Sequence, residues 1–564
     1  MLRGASTILL LFVIVAAPAN AQPTELMPGV TFDKTLEFTP HGAVVLDVIT
    51  APRPGDDAGL YALAPVLAGG AVGGGTAPLT ELERSVSAQA TVAGIDGDFA
   101  APDGEPAGVV MQDGALLHSP AAGRSSIGID AAGLMHVDRV RLFGTWQGTG
   151  QRRPLDGVNE PPLPGQTVLF TPAFGPAAPV APGSADVVLG TLPAVVPGGV
   201  VTGAVAAAGS GGGEAIPPGG AVVVATGAAA AKLAAEAPLG TSVSIRLALQ
   251  PDWTGVTEAL GGGPVLVRAG KPVFRTTEDF TDDQVTSRSP RAAVGQLADG
   301  RVILVAVDGS QPGYSVGLTS FELAQTLVQL GAVRACGLAS GSPVSSAFDG
   351  TLLDRPTVPG GAPLEEALLV EYFGVYAPPP PLALVTGEPG RTAELLQYKI
   401  VRPSKVTAQL VGPDGAVHVL EAGVQHDPGT YGFTYSTFDR EGGWQWQVSA
   451  TDDLGRTSTD TQSFRYDTTL RALVVPRAAR SSLTVRFTLS RPATVKLQIE
   501  TRGGVPIATL APTLLAAGPQ TLVWDGTLAT HTRAFAGAYV AHLSFTSSVG
   551  TSDISAPFTF RVTQ

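Results

Sequence analysis

The stretch from Arg288 to Ser342 constrains the fold most, because it predicts a strand, a helix and a second strand in close succession. Residues 301–307 form a continuous apolar run of strand length, which is typical of a strand buried on both faces. That run ends at Asp308, and residues 333–338 form a second apolar run. The stretch therefore predicts two buried strands with polar residues gathered where they end.

Helix signals lie between the two predicted strands. Thr319 and Glu322 have the spacing of a capping box, and Gly331 follows the last apolar position of the helix pattern. A strand–helix–strand crossover normally makes its strands parallel, so the residues after both strands share one edge of the sheet. Ligands of open α/β sheets bind at that edge, which makes Asp308 a candidate for chemistry.

Bulk composition narrows the function classes. A chain of 564 residues is long enough for roughly two to four domains. Its 70 glycines and 47 prolines favour many turns and short strands over long helices. The net charge of -13 makes a nucleic-acid backbone an unsuitable partner. Only 15% of the residues are charged, which is consistent with a β-rich extracellular protein.

Residues 1–21 have the pattern of a secretory signal peptide. Arg3 supplies the positive start, residues 8–17 supply the apolar core, and a small-residue cleavage site ends at Ala21. We therefore expect cleavage after Ala21 and a secreted bacterial protein, extracellular or at the cell surface. The apolar core is too short to span a membrane comfortably, so no transmembrane anchor is expected.

Cys336 is the only cysteine of the chain, so no intrachain disulfide can form. It lies in the second predicted strand, and no histidine is near it in sequence, so we expect a buried, inert thiol rather than a nucleophile. The seven histidines show no metal-ligand spacing. We expect no metal site and no cofactor.

Four sequence blocks carry a family resemblance; they are Arg288-Ser-Pro-Arg291 with Gly295, Val307-Asp308-Gly-Ser-Gln311, Ser315-Val-Gly-Leu-Thr319 with Glu322, and Leu338-Ala-Ser-Gly-Ser342. The blocks resemble the phosphodiester glycosidase family, to which the N-acetylglucosamine-1-phosphodiester alpha-N-acetylglucosaminidase or uncovering enzyme belongs. That enzyme removes N-acetylglucosamine from a sugar-phosphate diester. Residues 93–99 resemble a further block of the family.

Two positions depart from the family pattern. Asp96 stands where the family has asparagine, and Ala339 stands where it has an aspartate. Because losing a directly acting carboxylate costs several powers of ten in rate, Ala339 leaves two function classes open. One is a hydrolase of sugar-phosphate diester bonds in envelope or extracellular glycans. The other is a catalytically inactive glycan-binding or surface scaffold protein.

The resemblance also implies site residues for a carbohydrate or glycosyl phosphodiester ligand. Guanidinium groups would hold the phosphate and carboxyl groups would handle protons or attack the sugar, with polar side chains lining the pocket. Arg291 and Arg288 are the candidates for holding the phosphate, Asp308 and Asp96 are the candidate carboxyl groups, and Gln311 and Ser315 are the candidates for lining the pocket. The structural alternatives are an ion pair with the acidic loop at 278–283 for the two arginines, a turn for Asp308, and loop solvation for Gln311 and Ser315. Glu322 is expected to cap its helix.

The resemblance spans most of residues 28–375 and implies an α+β domain over residues 22–376. A proline-rich linker is expected over 377–384. Two later stretches repeat each other and alternate apolar with polar residues, which predicts all-β immunoglobulin-like sandwiches over 385–467 and 468–564. The second resembles the module of flagellar hook-capping proteins. We expect the pair to act as a spacer or adhesive stalk through which the protein can associate with the cell surface.

Overall fold

The computed structural model describes residues 23–99, 101, 104–273 and 277–561. The predicted signal peptide, residues 1–21, lies outside the described residues. Within the described part of the chain, no helix is long and apolar enough to cross a membrane.

The chain divides into two compact units. The first holds most of the described residues before 371, and the second holds the residues from Glu371 onward together with two short earlier stretches, Asp57–Tyr61 and Val86–Thr91. The strands up to residue 372 are β1 Thr24–Met27, β2 Val30–Thr39, β3 Gly42–Ala51, β4 Tyr61–Leu67, β5 Ala77–Pro78, β6 Thr91–Asp96, β7 Val110–Gln112, β8 Ala115–His118, β9 Ser126–Asp130, β10 Met135–Asp138, β11 Arg141–Gln147, β12 Arg153–Leu155, β13 Gly157–Val158, β14 Thr167–Phe170, β15 Val180–Leu189, β16 Val200–Gly212, β17 Ala221–Ala225, β18 Ser242–Gln250, β19 Val256–Gly261, β20 Val265–Arg268, β21 Lys271–Pro272, β22 Arg291–Leu297, β23 Val302–Val307, β24 Ala332–Ser340, β25 Ser346–Phe348, β26 Thr351–Leu352, β27 Pro363–Leu364 and β28 Glu366–Tyr372.

The prediction of an α+β class for the first domain is wrong, because the structure is almost entirely β. The described residues contain five α-helices, none longer than ten residues: α1 Asp56–Gly59, α2 Leu79–Val86, α3 Gly227–Glu236, α4 Asp282–Thr286 and α5 Ser320–Gln329. The frequent glycines and prolines interrupt helical patterns, and the apolar runs between them pair as strands instead.

The predicted strand–helix–strand unit is β23–α5–β24, and it lies in an eight-stranded sheet of order β1-β2-β3-β23-β22-β24-β20-β21. Strand β22 lies between β23 and β24 and is antiparallel to both, so those two run in the same direction but do not touch. All neighbouring strands of this sheet are antiparallel. The expectation of an open parallel sheet is therefore corrected, although the ends of β23 and β24 do share one edge.

Helix α5 covers one face of this sheet. Its buried Leu323 and Leu327 pack with Val305 and Val307 of β23 and with Leu46 of β3. The predicted capping box is confirmed: the Thr319 hydroxyl accepts a hydrogen bond from the Glu322 N–H, and the Glu322 carboxylate accepts one from the Thr319 N–H. The opposite face of the sheet carries the polar residues described below.

Removing the cap should weaken the first unit measurably. Thr319→Ala leaves an unsatisfied N–H at the start of α5, so we expect the free energy of unfolding to fall by about 1 kcal/mol. Chemical denaturation followed by circular dichroism measures the change. Thr319→Ser keeps the hydroxyl and should lose much less; an equal loss in both variants would contradict a capping role.

The remaining strands up to residue 372 form one eight-stranded sheet, two five-stranded sheets and one two-stranded pair. One sheet has the order β12-β11-β18-β16-β15-β17-β14-β13, and two five-stranded sheets have the orders β10-β9-β19-β7-β8 and β26-β25-β6-β28-β4. Strands β5 and β27 form a separate pair. Cys336 in β24 is fully buried, and burial raises the pKa of its thiol well above its usual range, in agreement with an inert thiol.

The second unit contains two pairs of facing sheets, each pair enclosing its own core. Its strands are β29 Ala383–Val385, β30 Glu394–Ile400, β31 Ser404–Val411, β32 Val417–His426, β33 Gly429–Tyr435, β34 Gly442–Asp452, β35 Thr457–Asp467, β36 Leu470–Val474, β37 Ala478–Ala479, β38 Leu483–Leu489, β39 Ala493–Thr501, β40 Pro506–Leu515, β41 Gly518–Trp524, β42 Gly537–Ser547 and β43 Gly550–Phe560. Sheets β29-β35-β34-β31-β32 and β30-β33 enclose Trp444 and Trp446. Sheets β36-β38-β41 and β37-β43-β42-β39-β40 enclose Trp524 and Phe545. These are two β-sandwiches in tandem.

Candidate active site

The face of the eight-stranded sheet opposite α5 carries a carboxylate at its centre. In the strand register Lys34 of β2 lies directly across from Asp47 of β3, and Asp47 lies across from Ala306 of β23. Side chains alternate along a strand, so Asp308, two residues after Ala306, lies on this face as well. Asp47 and Asp308 are both almost fully buried.

Asp308 is held in place by three neighbours. Its Oδ2 accepts a hydrogen bond from the Tyr314 hydroxyl at 2.8 Å, and its Oδ1 accepts one from the Arg355 N–H at 3.2 Å. Its carbonyl oxygen accepts a hydrogen bond from the Ser315 hydroxyl. These contacts fix both carboxylate oxygens at the end of β23.

Two further carboxyl groups, Asp96 and Asp354, are bound by consecutive amides. The Ser345 N–H donates to Asp96 Oδ1 at 3.2 Å, and the Ser346 N–H donates to Asp354 Oδ1 at 3.0 Å. The second oxygen of each carboxyl group is buried without a hydrogen-bond partner among the described residues. The charge of Asp354 acts on Asp96, and the charges of Asp308 and Asp47 act on Asp354, so these groups are electrostatically coupled. We call Asp47, Asp96, Asp308 and Asp354 the carboxylate cluster.

Cations lie at the solvent side of the carboxylate cluster. Lys34 Nζ lies 3.1 Å from Asp47 Oδ1 and donates to the Leu353 carbonyl at 3.1 Å, with 40% of its side chain exposed. The exposed Arg355 guanidinium lies 4.7 Å from the centre of the Tyr314 ring, a cation–π contact. Because the Tyr314 hydroxyl in turn reaches Asp308, Tyr314 and Arg355 form a layer between that carboxylate and solvent.

Burial raises the pKa values of the carboxylate cluster. It raises the pKa of Asp47 to about 7 against the opposing charge of Lys34. It also raises the pKa of Asp354 to about 7, where the negative charges of Asp308 and Asp47 add to the effect. The fully buried Asp96 has its pKa raised well above the usual range by desolvation. Burial raises the pKa of Asp308 too, but hydrogen bonding from Tyr314 and the charge of Lys34 oppose it.

The two arginines predicted to hold phosphate make other contacts. Arg291 is buried, and its guanidinium donates to the Leu318 carbonyl at 3.1 Å and the Ser287 carbonyl at 2.8 Å. Arg288 forms an ion pair with Glu322, with Nη2 2.6 Å from Oε1. Burial alone would raise the pKa of Glu322, but Arg288 and the Thr319 hydrogen bonds hold it at about 2. The predicted alternative partner, the acidic loop at 278–283, is not the one that Arg288 takes.

Gln311 and Ser315 build the loop that follows β23. Gln311 Nε2 donates to the Arg355 carbonyl at 2.7 Å, which ties Arg355 to this loop. The buried Ser315 hydroxyl accepts from the Val45 N–H at 3.1 Å and donates to Asp308. Gly317 lets the loop return, because its φ is +79° and a Cβ there would lie 2.3 Å from the Ser289 carbonyl oxygen.

Ala339, which replaces the aspartate of the family pattern, is buried next to the strand that carries Asp96. Its N–H donates to the Gly97 carbonyl at 3.0 Å, one residue after Asp96. The methyl side chain places no carboxyl group at this point.

Sequence reasoning did not single out Lys34, Asp47, Tyr314, Asp354 or Arg355 for the site. Asp47 could have been found from the sequence, because it is a lone aspartate inside the apolar strand pattern of residues 43–51. Burying a carboxyl group is costly, so such a position predicts a functional role. Asp354 and Arg355 follow a two-residue strand in a loop, and nothing in their local pattern predicts which element they contact.

Within the described parts of the chain, no group of three or more histidine, cysteine, aspartate or glutamate side chains is arranged to hold a metal ion. Paired buried carboxyl groups beside cations suit proton transfer next to a bound anion.

Part of the chain matches a known protein family. Residues 191–371 match the phosphodiester glycosidase family. The matched part of this phosphodiester glycosidase domain includes Asp308, Tyr314 and Asp354, whereas Lys34 and Asp47 come earlier in the chain. The match supports a glycosidase-related function and a carbohydrate partner. No curated protein matches the sequence.

Solved structures that match this chain include proteins from bacteria and a vertebrate. A hypothetical protein from Synechocystis is 26% identical, with 61% of this chain and 62% of that chain covered and a TM-score of 0.51. This chain thus spans about three fifths of that protein. A protein of Burkholderia pseudomallei K96243 is 21% identical over 58% of this chain and 74% of its own, with a TM-score of 0.47. The zebrafish N-acetylglucosamine-1-phosphodiester alpha-N-acetylglucosaminidase catalytic domain, auto-inhibited by its pro-peptide, is 13% identical over 63% of this chain and 86% of its own, with a TM-score of 0.34.

Proposed function

We propose that the phosphodiester glycosidase domain hydrolyses the bond between a sugar and a phosphodiester, and that the carboxylate cluster is its active site. The observation that carries the proposal is the coupling of Asp308 to Asp354 beside two exposed cations, Lys34 and Arg355. Glycosidases use a pair of carboxyl groups with different proton affinities, and this arrangement supplies one. The substrate class comes from the family match and the cations.

The two carboxyl groups take different roles. Asp308 receives two hydrogen bonds on its carboxylate oxygens, which favour the charged form, so it acts on the anomeric carbon or on the attacking water. Asp354 has a free buried oxygen and a pKa of about 7, so it donates the proton. Hydrolysis breaks the bond from the anomeric carbon to oxygen, adds the hydroxyl of water to that carbon, and releases a protonated phosphate monoester.

Arg355 and Lys34 hold the phosphate in place of the predicted Arg291 and Arg288, whose donors are engaged with carbonyl groups and with Glu322. A guanidinium can contact two phosphate oxygens at once. Since Arg355 rests on Tyr314, which contacts Asp308, a phosphate that draws Arg355 away also opens the path to the carboxylate. Asp96 acts through its neighbours, because it is fully buried.

Hydrolysis of a panel of glycosyl phosphodiesters tests the proposal. We expect turnover by the wild type, loss of turnover by several powers of ten in Asp308→Ala, and a raised KM with a smaller change in kcat in Arg355→Met. Transfer of ¹⁸O from labelled water to the sugar, and not to the phosphate, would show which bond breaks. Thermal melting of each variant controls for folding.

The second candidate is a non-catalytic glycan-binding or scaffold protein, favoured by Ala339 at the position of the family's aspartate. It predicts no turnover by the wild type, and activity gained only in Ala339→Asp. Turnover by the wild type that disappears in Asp308→Ala rejects it.

We propose that the protein is exported through the signal peptide at residues 1–21 and that its two sandwiches are immunoglobulin-like modules. The alternating burial of their strands, and in the second sandwich the sequence resemblance to hook-capping proteins, support that assignment. In this proposal the boundary over residues 377–384 separates the enzyme domain from a spacer that can hold it near the cell surface.

A further inference from the structure

An apolar strip, Leu36 and Phe38, continues the face that carries the carboxylate cluster. Side chains alternate along β2, so Lys34, Leu36 and Phe38 all point to the same side as Asp47. Leu36 is 55% exposed and Phe38 is 83% exposed. Exposed single apolar residues are common, but these two are consecutive positions of one face beside a charged site.

The apolar strip has a fixed distance from the phosphate-holding cations. In the register Leu36 lies across from Val45 and Phe38 across from Ala43, on two paired strands. Residues two apart on a strand are about 7 Å apart, so the apolar strip extends from about 7 to about 14 Å beyond Lys34. A ligand bound by its phosphate at Lys34 and Arg355 can reach the apolar strip only through a chain several carbon atoms long.

We propose that the apolar strip binds a hydrocarbon chain attached to the phosphate, so that the substrates are glycosyl phosphodiesters of a long-chain alcohol. This inference rests on the proposed function and names its substrate class. The charge distribution argues for such an occupant, since the cations suit a phosphate and the adjoining face offers an aliphatic side chain and an aromatic ring. A second sugar at this position would need hydrogen-bonding side chains, whereas β2 presents Leu36 and Phe38 there.

Kinetics on matched substrates test the inference. Methyl and decyl phosphodiesters of one sugar are compared, below the micellar concentration, in the wild type and in the double variant Leu36→Ser/Phe38→Ser. We expect the wild type to show a KM at least about tenfold lower for the decyl compound, because each buried methylene group favours binding. The double variant should lose that preference and keep its activity on the methyl compound. Phe143→Ser, at an equally exposed position on β11, is the matched control.

Binding of decyl phosphate and methyl phosphate, measured by calorimetry, separates this inference from the proposed function. Suppose that no substrate turns over, but the wild type binds decyl phosphate more tightly than methyl phosphate and the double variant does not. The proposed function then fails, whereas the apolar strip remains a binding site for a hydrocarbon chain. Equal binding of both phosphates to the wild type, or a decyl preference that survives in the double variant, overturns the inference. The double variant could instead change its oligomeric mass, or lose binding to lipid vesicles, while its preference for the decyl chain stays the same. The first result would assign the apolar strip to contact with a second copy and the second to contact with a membrane, and either would overturn the inference.

Discussion

Asp354→Asn is expected to lower kcat/KM on a glycosyl phosphodiester by about a thousandfold, whereas Asp96→Asn should stay within about threefold of the wild type. Both side chains accept one amide hydrogen bond, from Ser346 and from Ser345, and an asparagine oxygen can accept either one. Asp354 has a pKa of about 7 and can give up its proton during the reaction. Complete burial raises the pKa of Asp96 well above its usual range and so favours its neutral form, which a neutral amide replaces with little change in charge.

Steady-state kinetics with purified variants measure this contrast, and the pH dependence of kcat/KM adds a second readout. In the wild type kcat/KM should fall as pH rises above about 7, because Asp354 loses the proton that it donates. In Asp354→Asn the residual activity should lose that decline. Equal losses in the two variants, with the pH profile unchanged, would reject Asp354 as the proton donor.

The first unit is expected to be less stable at pH 9 than at pH 5.5, in part because of Glu83. This residue of α2 is fully buried and accepts a hydrogen bond from the Gly350 N–H at 2.6 Å. Burial raises its pKa from 4.5 to about 8. Between these values the folded chain keeps a proton that the unfolded chain has released, so the free energy of unfolding falls as pH rises, by up to a few kcal/mol. Asp47 and Asp354 act in the same direction.

Thermal melting at pH 5.5, 7 and 9 measures the effect. Glu83→Gln cannot lose a proton and still offers an oxygen to Gly350, so its melting temperature should fall less between pH 5.5 and 9 than that of the wild type. Glu37→Gln, at an exposed position of β2, should leave the wild-type slope unchanged. The same slope in Glu83→Gln and the wild type would show that Glu83 is not the group responsible.

Local patterns predicted individual elements well and their arrangement poorly. The run at 301–307 and the capping box of Thr319 and Glu322 depend on neighbours within a few residues, and the structure confirms both. The fold class depends instead on which strands pair. The crossover rule predicted that β23 and β24 run in the same direction but could not indicate that β22, which precedes β23 in the chain, lies between them.

The candidate site was predictable only where its residues belong to a local sequence pattern. Asp308 ends a buried strand, which local reasoning detects. Its neighbours Asp47 and Asp354 come from a distant strand and a loop, and their proximity follows from sheet pairing that no local pattern contains. For Arg291 the sequence pattern predicted a role that the contacts do not favour. Arg291 fits the family pattern, but its guanidinium donates to carbonyl groups of the loops around it.

The pairing of β3 with β23 determines when the site can form during synthesis. The Val45 N–H reaches the Ser315 hydroxyl across 270 residues of chain, and β3 lies next to β23 in the sheet. At ribosomal rates of about 5–20 residues per second, the hairpin of β2 and β3 waits tens of seconds for its partner strand. Throughout that interval Lys34 and Asp47 lie on the meander of β1, β2 and β3, whose β3 edge has no partner strand yet. A chain that stops before β23 therefore leaves the β3 edge of this meander unpaired and open to other strands.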